Sequence, residues 1–189
     1  AESDFASAIY ALFPGPLTPP ATLVASCLRA YGQELTSGFW QMRTEDLPDA
    51  RQAERETIVE NLTALGRRLG FQVEPLAPFD VAWFAKGLQR AVFAIRWQAS
   101  VDQVLAFGAP EAPAIPYMVI PGGRAALVSY KLAHNPLWQE QVDEQGWRFI
   151  KYRHVRQLVS RPDIDEFALQ TVIGLDPIVE QEQAQLPLF

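Results

Sequence analysis

The sequence predicts an α/β protein in which a mixed sheet is flanked by helices. Two segments dense in β-branched and aromatic residues, 79–84 and 91–97, are joined through Lys86-Gly87, which is typical of two strands and a turn. A third apolar run, 115–120, is bounded by prolines and suits a strand buried on both sides. With 189 residues and 49% hydrophobic content, the chain can bury one core and carry a small appendage.

Residues 1–48 are predicted to form a small N-terminal helical element. Helices are expected over 5–13 and 21–30, because Pro14, Pro16 and Pro19 lie between them and forbid a continuous helix. A short strand is expected over 38–43. A winged-helix-like appendage is therefore one interpretation, and a helical extension packed on the main domain is the other.

Residues 49–175 are predicted to form the main domain, which opens on its longest helix. That helix runs from Pro48-Asp49 to about residue 69, and its apolar residues fall on one stripe. Gly70 is placed for the left-handed cap that ends it. The first core strand, 71–74, follows.

The centre of the domain combines strands and one short helix. In the strand 91–97 the period of two places Phe93 and Ile95 on one face, with Ala94, Arg96 and Gln98 on the other. Residues 100–103 have the spacing of a capping box for a helix reaching about 107. The buried strand 115–120 comes next.

The remaining segments are predicted as follows. Gly122-Gly123 turns into a helix over 124–132, and Asn135-Pro136 begins another helix that ends near Gly146. A strand is expected over 147–155, and a capping box at 163–166 begins a helix ending at residue 174. Residues 176–189 are rich in Glu and Gln, lack a core pattern and read as an extended tail.

Cysteine and histidine usage argues against a disulfide-stabilised protein and against a zinc site. Cys27 is the one cysteine, so no disulfide framework is possible, and its apolar neighbours indicate a buried structural thiol. Neither His134 nor His154 has a cysteine or carboxylate at a metal-ligand spacing, so no metal site is predicted. With no signal peptide and no bilayer-spanning stretch, a cytoplasmic protein without membrane contact is expected.

The net charge of −6 is unevenly distributed. Residues 124–161 carry seven basic and three acidic side chains, whereas 162–189 carry six acidic and no basic ones. The basic block could contact phosphate weakly, and the glycine pair could present backbone N–H groups to an anion. The alternative for the basic block is a solvated surface of a strand and a helix, and the alternative for the glycine pair is a tight turn from strand to helix. The candidate anion-binding residues are Gly122, Gly123, Arg124, Lys131, Arg148, Lys151, Arg153 and Arg156.

The order helix, three strands, helix, strand over residues 49–120 resembles the core of the PD-(D/E)xK nuclease superfamily, also called the restriction-endonuclease-like fold. The resemblance implies an acid on the second strand, then an acid and a lysine two apart on the third, which together hold a divalent metal and activate water. Asp80 stands at the first acid. The expected pair falls on Ala94 and Arg96.

This departure decides the functional prediction. Ala94 supplies no ligand, and Arg96 keeps a permanent positive charge that repels a metal ion. The resemblance therefore implies a nuclease-like scaffold that has lost catalysis and needs no cofactor, with Asp80 as either a remnant or a strand-end acid satisfied locally. The alternative is a divergent Mg²⁺-dependent nuclease with Asp80, Arg96 and Gln98 as catalytic residues, or with Glu56 or Glu60 as substitute ligands.

Residues 185–189 carry the sharpest motif. Gln185, Leu186, Pro187, Leu188 and Phe189 resemble the bacterial sliding-clamp-binding pentapeptide, Q-L-x-L-F, which implies docking on the β clamp during DNA replication or repair. The glutamine offers hydrogen bonds, the apolar side chains fit a pocket, and the proline lowers the ordering cost. At average residue usage a window matches by chance roughly once in tens of thousands. The alternatives are a segment that folds back on its own domain, and a scaffold or assembly module with no nucleic-acid role.

Overall fold

A computed structural model describes residues 2–36, 38–111, 113–165 and 169 of the chain. Its N-terminal part contains α1 (Glu2–Leu12), α2 (Ala21–Tyr31) and an antiparallel hairpin of β1 (Gly32–Thr36) and β2 (Phe39–Met42). Both predicted helices and the β2 strand are confirmed. The β1 strand was missed because its sequence is polar and exposed beyond its first residue, so it carries no alternation of apolar residues.

The main domain is built on a five-stranded sheet of order β3-β4-β5-β6-β7. The first three strands are antiparallel, and β5, β6 and β7 are parallel, which confirms the predicted mixed α/β class. The elements are α3 (Pro48–Arg68), β3 (Gln72–Glu74), β4 (Val81–Ala85), β5 (Leu88–Ile95), α4 (Val101–Leu105), β6 (Ile115–Ile120), α5 (Ala125–Ala133), α6 (Pro136–Glu144), β7 (Arg148–Lys151) and α7 (Tyr152–Ser160).

Several local predictions are confirmed by backbone geometry. Lys86 and Gly87 both have positive φ, as a two-residue turn between β4 and β5 requires. Gly70 ends α3 with φ of 86°, and the side chain of Asn135 accepts a hydrogen bond from Trp138 N at the start of α6. Ser100 precedes α4 as predicted, but it makes no cap hydrogen bond there.

The predicted strand over 147–155 is wrong in its second half. β7 ends at Lys151, and the chain enters α7 at once. Tyr152, Val155 and Leu158 are buried on one helical face while Arg153 is exposed. This spacing of three residues satisfies a helix packed on α3, and that packing overrides the β-branched and aromatic composition of the segment.

The sheet has a hydrophobic cluster on each face. Phe93 and Ile95 join the cluster under α3 and α7, whereas Ala94 joins the cluster that includes residues of α4, α5 and α6. This alternation confirms the predicted faces of β5, although the strand ends two residues before the predicted position 97. Ala30 of α2 also lies in the second cluster, so the N-terminal element packs against the main domain.

A row of aromatic rings crosses the first face of the sheet. Trp83 lies between Phe71 and Phe93, with ring centroids 5.3 and 4.6 Å away, and Phe93 stacks on Tyr117 at 5.1 Å. One ring therefore comes from each of β4, β5 and β6, and Phe71 adds the fourth just before β3. The row ties the antiparallel and parallel halves of the sheet together.

Helix α3 approaches this row through a glycine. A Cβ placed on Gly66 would lie 2.5 Å from Trp83 Nε1 and 2.7 Å from Val73 Cγ2. Trp83 is 1% exposed and wedged against Phe71 and Phe93, so its indole cannot retreat. Close contact between helix and sheet therefore requires a residue without a side chain here.

We expect Gly66→Ala to destabilise the protein by about 1–3 kcal/mol, the usual cost of overpacking a core. In an exposed helix interior the same change stabilises the protein by about 1 kcal/mol. The sign of the change in unfolding free energy therefore distinguishes a close contact with Trp83 from an open helix surface. Urea unfolding measures it. The control is Ala64→Gly on the exposed side of α3, which should cost about 1 kcal/mol through helix propensity alone. Unchanged or raised stability of Gly66→Ala would contradict the close approach.

Most of the predicted helix that ends at residue 174 lies outside the described residues, and so does the whole predicted tail of 176–189. Leu169 is described, and it is buried in the first cluster. In the part of the chain that the structure describes, no helix is both long and apolar enough to cross a membrane.

Candidate functional site

The candidate site is centred on Asp80, the residue immediately before β4. Its backbone N–H donates to Phe93 O at 2.9 Å, which extends the pairing between β4 and β5 by one residue. Its side chain is 11% exposed. The sheet therefore fixes the carboxylate at the end of β5, where the chain leaves the sheet toward α4.

The Asp80 carboxylate is fully engaged. Oδ1 is paired with the Arg55 guanidinium, and Oδ2 accepts hydrogen bonds from Ile95 N at 2.5 Å and Arg96 Nη1 at 3.0 Å. Two permanent cations thus surround one carboxylate, and the trio carries a net charge of +1. The reading of Asp80 as a strand-end acid satisfied by local donors matches these contacts.

Both arginines are held in place by neighbouring backbone, and Arg55 Nε donates to Ile95 O at 3.4 Å. Arg96 Nη1 also donates to Ile95 O at 3.0 Å, and Arg96 N donates to Val119 O at 2.9 Å. The Tyr152 hydroxyl donates to Arg96 O at 3.1 Å. Burial, together with the nearby Glu54 carboxylate, raises the pKa of Tyr152 far above its ordinary value, so this hydroxyl keeps its proton.

The arrangement is unsuited to a metal ion as it stands. A divalent ion on Asp80 would displace two charge-assisted hydrogen bonds and face a guanidinium at short range. Ala94, at the position of the expected second acid, is fully buried in the apolar cluster on the second face. Among the described residues, no group of three histidines, cysteines or carboxylates is placed to hold a metal ion.

The structure brings Asp80 and Arg96 together but separates them from Gln98. Gln98 was expected on the same strand face as Arg96, yet β5 ends at Ile95 and Gln98 is exposed beyond it. Its side chain accepts a 3.4 Å hydrogen bond from Ser100 instead. Arg55 was missed, because the sequence gives no signal that residue 55 of the long helix reaches a strand end 25 positions later.

Two acids of α3 do approach Asp80. Glu56 and Glu60 line, with Arg55, Val59 and Asp80, an open cavity of about 440 Å³. They lie one helical turn apart on an exposed part of α3. This cavity therefore places two further carboxylates beside the Asp80 site.

Arg124 does not have the surface position that an anion contact requires. It is 1% exposed, its guanidinium is paired with Asp46 and hydrogen-bonded to Ala30 O, and it stacks 3.6 Å above the Tyr31 ring. Arg51 Nε also donates to Asp46 Oδ1, at 2.7 Å. The predicted anion ligand is thus a buried structural cation that joins α2, α3 and α5. Its partner lies 78 positions away, which no local pattern shows.

The other predicted anion-binding residues are distributed over different parts of the fold. Lys131 on α5 donates to Ala99 O at 2.7 Å, and Lys151 on β7 is 2% exposed, so neither offers a free surface charge. Arg148 is half-buried beside Tyr117. Only Arg153 and Arg156 of the predicted cations are exposed, both on α7. Gly122 and Gly123 are exposed in a 3₁₀ turn before α5, on the second face of the sheet.

Arg156 belongs to a chain of ion pairs next to the Asp80 site. It pairs with Glu54, which also pairs with Arg51. The predicted basic block is therefore not a single surface. Its exposed part is the α7 segment that packs on α3.

The pentapeptide Gln185, Leu186, Pro187, Leu188 and Phe189 lies outside the described residues, so its contacts remain a prediction. No family model matches the chain, and no curated protein or solved structure matches it either.

Proposed function

We propose that this chain is a DNA replication or repair accessory protein, in which a nuclease-like domain without catalysis docks on the bacterial sliding clamp through residues 185–189. The order α3-β3-β4-β5-α4-β6, with β6 parallel to β5, supports the nuclease-like interpretation. The observation that carries the loss of catalysis is the Asp80 carboxylate occupied by Arg55 and Arg96, with the buried Ala94 where a second acid is needed.

The clamp proposal rests on the five-residue match and its chemistry. The four fixed positions of the motif are Gln185, Leu186, Leu188 and Phe189. The acidic, polar residues before them resist packing into a core, so the motif is suited to be presented to a partner. Weak phosphate contacts by Arg153 and Arg156 would add a salt-dependent interaction with DNA.

We expect the full chain to bind a purified bacterial sliding clamp and the double variant Leu188→Ala/Phe189→Ala to bind at least ~100-fold more weakly. Truncating two apolar anchors at an interface costs about 2 kcal/mol each or more. Calorimetry or surface plasmon resonance measures the Kd. The control is Leu137→Ala, which removes an exposed leucine from α6 and should bind like the parent chain. Equal affinity of the double variant and the parent chain would contradict the docking.

A divergent nuclease is the second candidate, because Glu56 and Glu60 share a cavity with Asp80. We expect no DNA cleavage above background by the chain with Mg²⁺ or Mn²⁺, and no difference between it and Asp80→Ala. A gel assay on single- and double-stranded DNA measures this. Cleavage that Asp80→Ala abolishes and Glu140→Ala, an exposed acid on α6, preserves would establish the nuclease instead. DNA binding that is absent or independent of salt would favour a scaffold without a nucleic-acid role.

A further inference from the structure

The N-terminal element exposes an unusual share of large apolar side chains. Of the eleven that are exposed among the described residues, eight lie between positions 5 and 47. Phe39 and Met42 of β2 are 63% and 52% exposed. Phe5, Phe39 and Met42 line one groove together, and an exposed cluster of apolar side chains is typical of a binding site in soluble proteins.

Part of this surface forms a groove, which we call the hairpin groove. It lies between α1, α2 and the β1-β2 hairpin and has a volume of about 390 Å³. No formally charged side chain lines it among the described residues. Its principal lining residues are Phe5, Cys27, Tyr31, Phe39, Trp40 and Met42.

We infer that the hairpin groove is a docking site for the chain's own Leu186, Leu188 and Phe189. The docked segment is then unavailable to a partner. The regulatory consequence, competition between the hairpin groove and the sliding clamp for one segment, rests on the proposed function, whereas the intramolecular contact does not.

The length of the intervening chain permits this contact. Sixteen residue steps separate Leu169 from Gln185, and at about 3.3 Å each they span up to about 50 Å. A domain of this size is about 40 Å across. The segment can therefore reach the hairpin groove although Leu169 packs on the other face of the sheet.

The polarity of the hairpin groove suits this segment as the occupant. Leu186, Leu188 and Phe189 are apolar, and the residues that line the groove carry no formal charge. Glu180 and Glu182 precede the motif by several residues, so the apolar side chains can enter the groove while both carboxylates stay in water.

The lone cysteine permits a direct test by disulfide trapping in the full chain. Cys27 lines the hairpin groove, so a cysteine introduced as Leu188→Cys should form an intramolecular disulfide with it under mild oxidation, because docking brings the two Cβ atoms within bonding range. The reaction is run at mildly alkaline pH, since burial raises the pKa of the Cys27 thiol and the thiolate is the reactive form. Mass spectrometry of the digested protein identifies the bond.

The control is Gln181→Cys, which lies outside the apolar motif, 12 residue steps from Leu169 against 19 for position 188. The shorter loop favours closure in the control, so faster closure at position 188 cannot be due to tether length. We expect Leu188→Cys to close at least ~10-fold faster than Gln181→Cys, at a rate independent of protein concentration. Equal rates for the two variants overturn the inference. Cross-linking that rises with concentration and yields dimers also overturns it, because the occupant is then a second copy of the chain.

A second measurement separates this inference from the proposed function. If the segment is docked nine-tenths of the time, the apparent Kd for the clamp is about tenfold weaker than that of the free segment. Met42→Ser, at a half-exposed position of the hairpin groove, should then tighten clamp binding several-fold and slow the disulfide. A disulfide that forms without any clamp binding refutes the proposed function alone, and clamp binding that Met42→Ser leaves unchanged, with no preferential disulfide, refutes the inference alone.

Discussion

Asp46→Ala should lower the free energy of unfolding by about 3–5 kcal/mol, the range for breaking a buried ion pair by removing one partner. The Asp46 side chain is fully buried and its Oδ1 serves both Arg51 and Arg124. Arg51 keeps its second partner, Glu54, but Arg124 keeps only a carbonyl and the Tyr31 ring. A guanidinium that is 1% exposed would then carry an uncompensated charge. Urea unfolding of the purified variant measures the loss.

Two further variants test the cause of this loss. Glu140→Ala removes an exposed carboxylate and should change stability by less than about 0.5 kcal/mol. Asp46→Ala/Arg124→Met removes the stranded charge and should recover about 1–2 kcal/mol of the single-variant loss, because an apolar side chain tolerates burial without a partner. Additive losses in the double variant would show that Arg124 does not depend on Asp46.

Phe93→Ala should cost about 3–5 kcal/mol, as large-to-small changes of a buried aromatic residue do. Phe93 is fully buried on β5 and contacts the rings of both Trp83 and Tyr117. Its removal empties the middle of the aromatic row, where β4 and β6 hold the neighbouring rings apart and prevent collapse. Thermal and urea unfolding should both report the loss.

Phe107→Ala is the matched control for this change, because Phe107 is 51% exposed in the turn after α4. We expect a loss below about 1 kcal/mol, since the ring there is already half in water. A loss at Phe93 no larger than that at Phe107 would mean that the aromatic row contributes little to the stability of the sheet.

The elements that sequence patterns predicted well are those whose local and long-range preferences agree. The apolar stripe of α3 and the two-sided burial of β6 each express a packing environment that the fold supplies. At residues 152–155 these preferences conflict. The composition of the segment favours a strand, but packing against α3 favours a helix with a buried residue at every third position. Helix α3 is more than eighty residues away in sequence, so no local pattern shows this packing.

The contacts of the candidate site also fall into those that the sequence predicted and those that depend on long-range packing. Asp80 and Arg96 were assigned to one site through the resemblance to the nuclease core, and antiparallel pairing does bring the start of β4 beside the end of β5. Arg55 comes from the preceding helix, and Asp46 reaches Arg124 across 78 positions, so these contacts depend on how helices settle on the sheet rather than on any periodicity. Gln98 was misplaced because a strand was extended through a bend that returns its side chain to water.

The change from antiparallel to parallel pairing at β5 has a consequence for biosynthesis. Strands β3, β4 and β5 follow one another with short connections, so they can pair once residue 95 has left the ribosome. The parallel partners β6 and β7 each need a long crossover before they can add. Until then one edge of β5 is unpaired, and the apolar face of the sheet that α4, α5 and α6 later cover is exposed to solvent. A nascent chain at this stage therefore has the unpaired strand edge and exposed apolar surface that make folding intermediates prone to aggregate and bind chaperones.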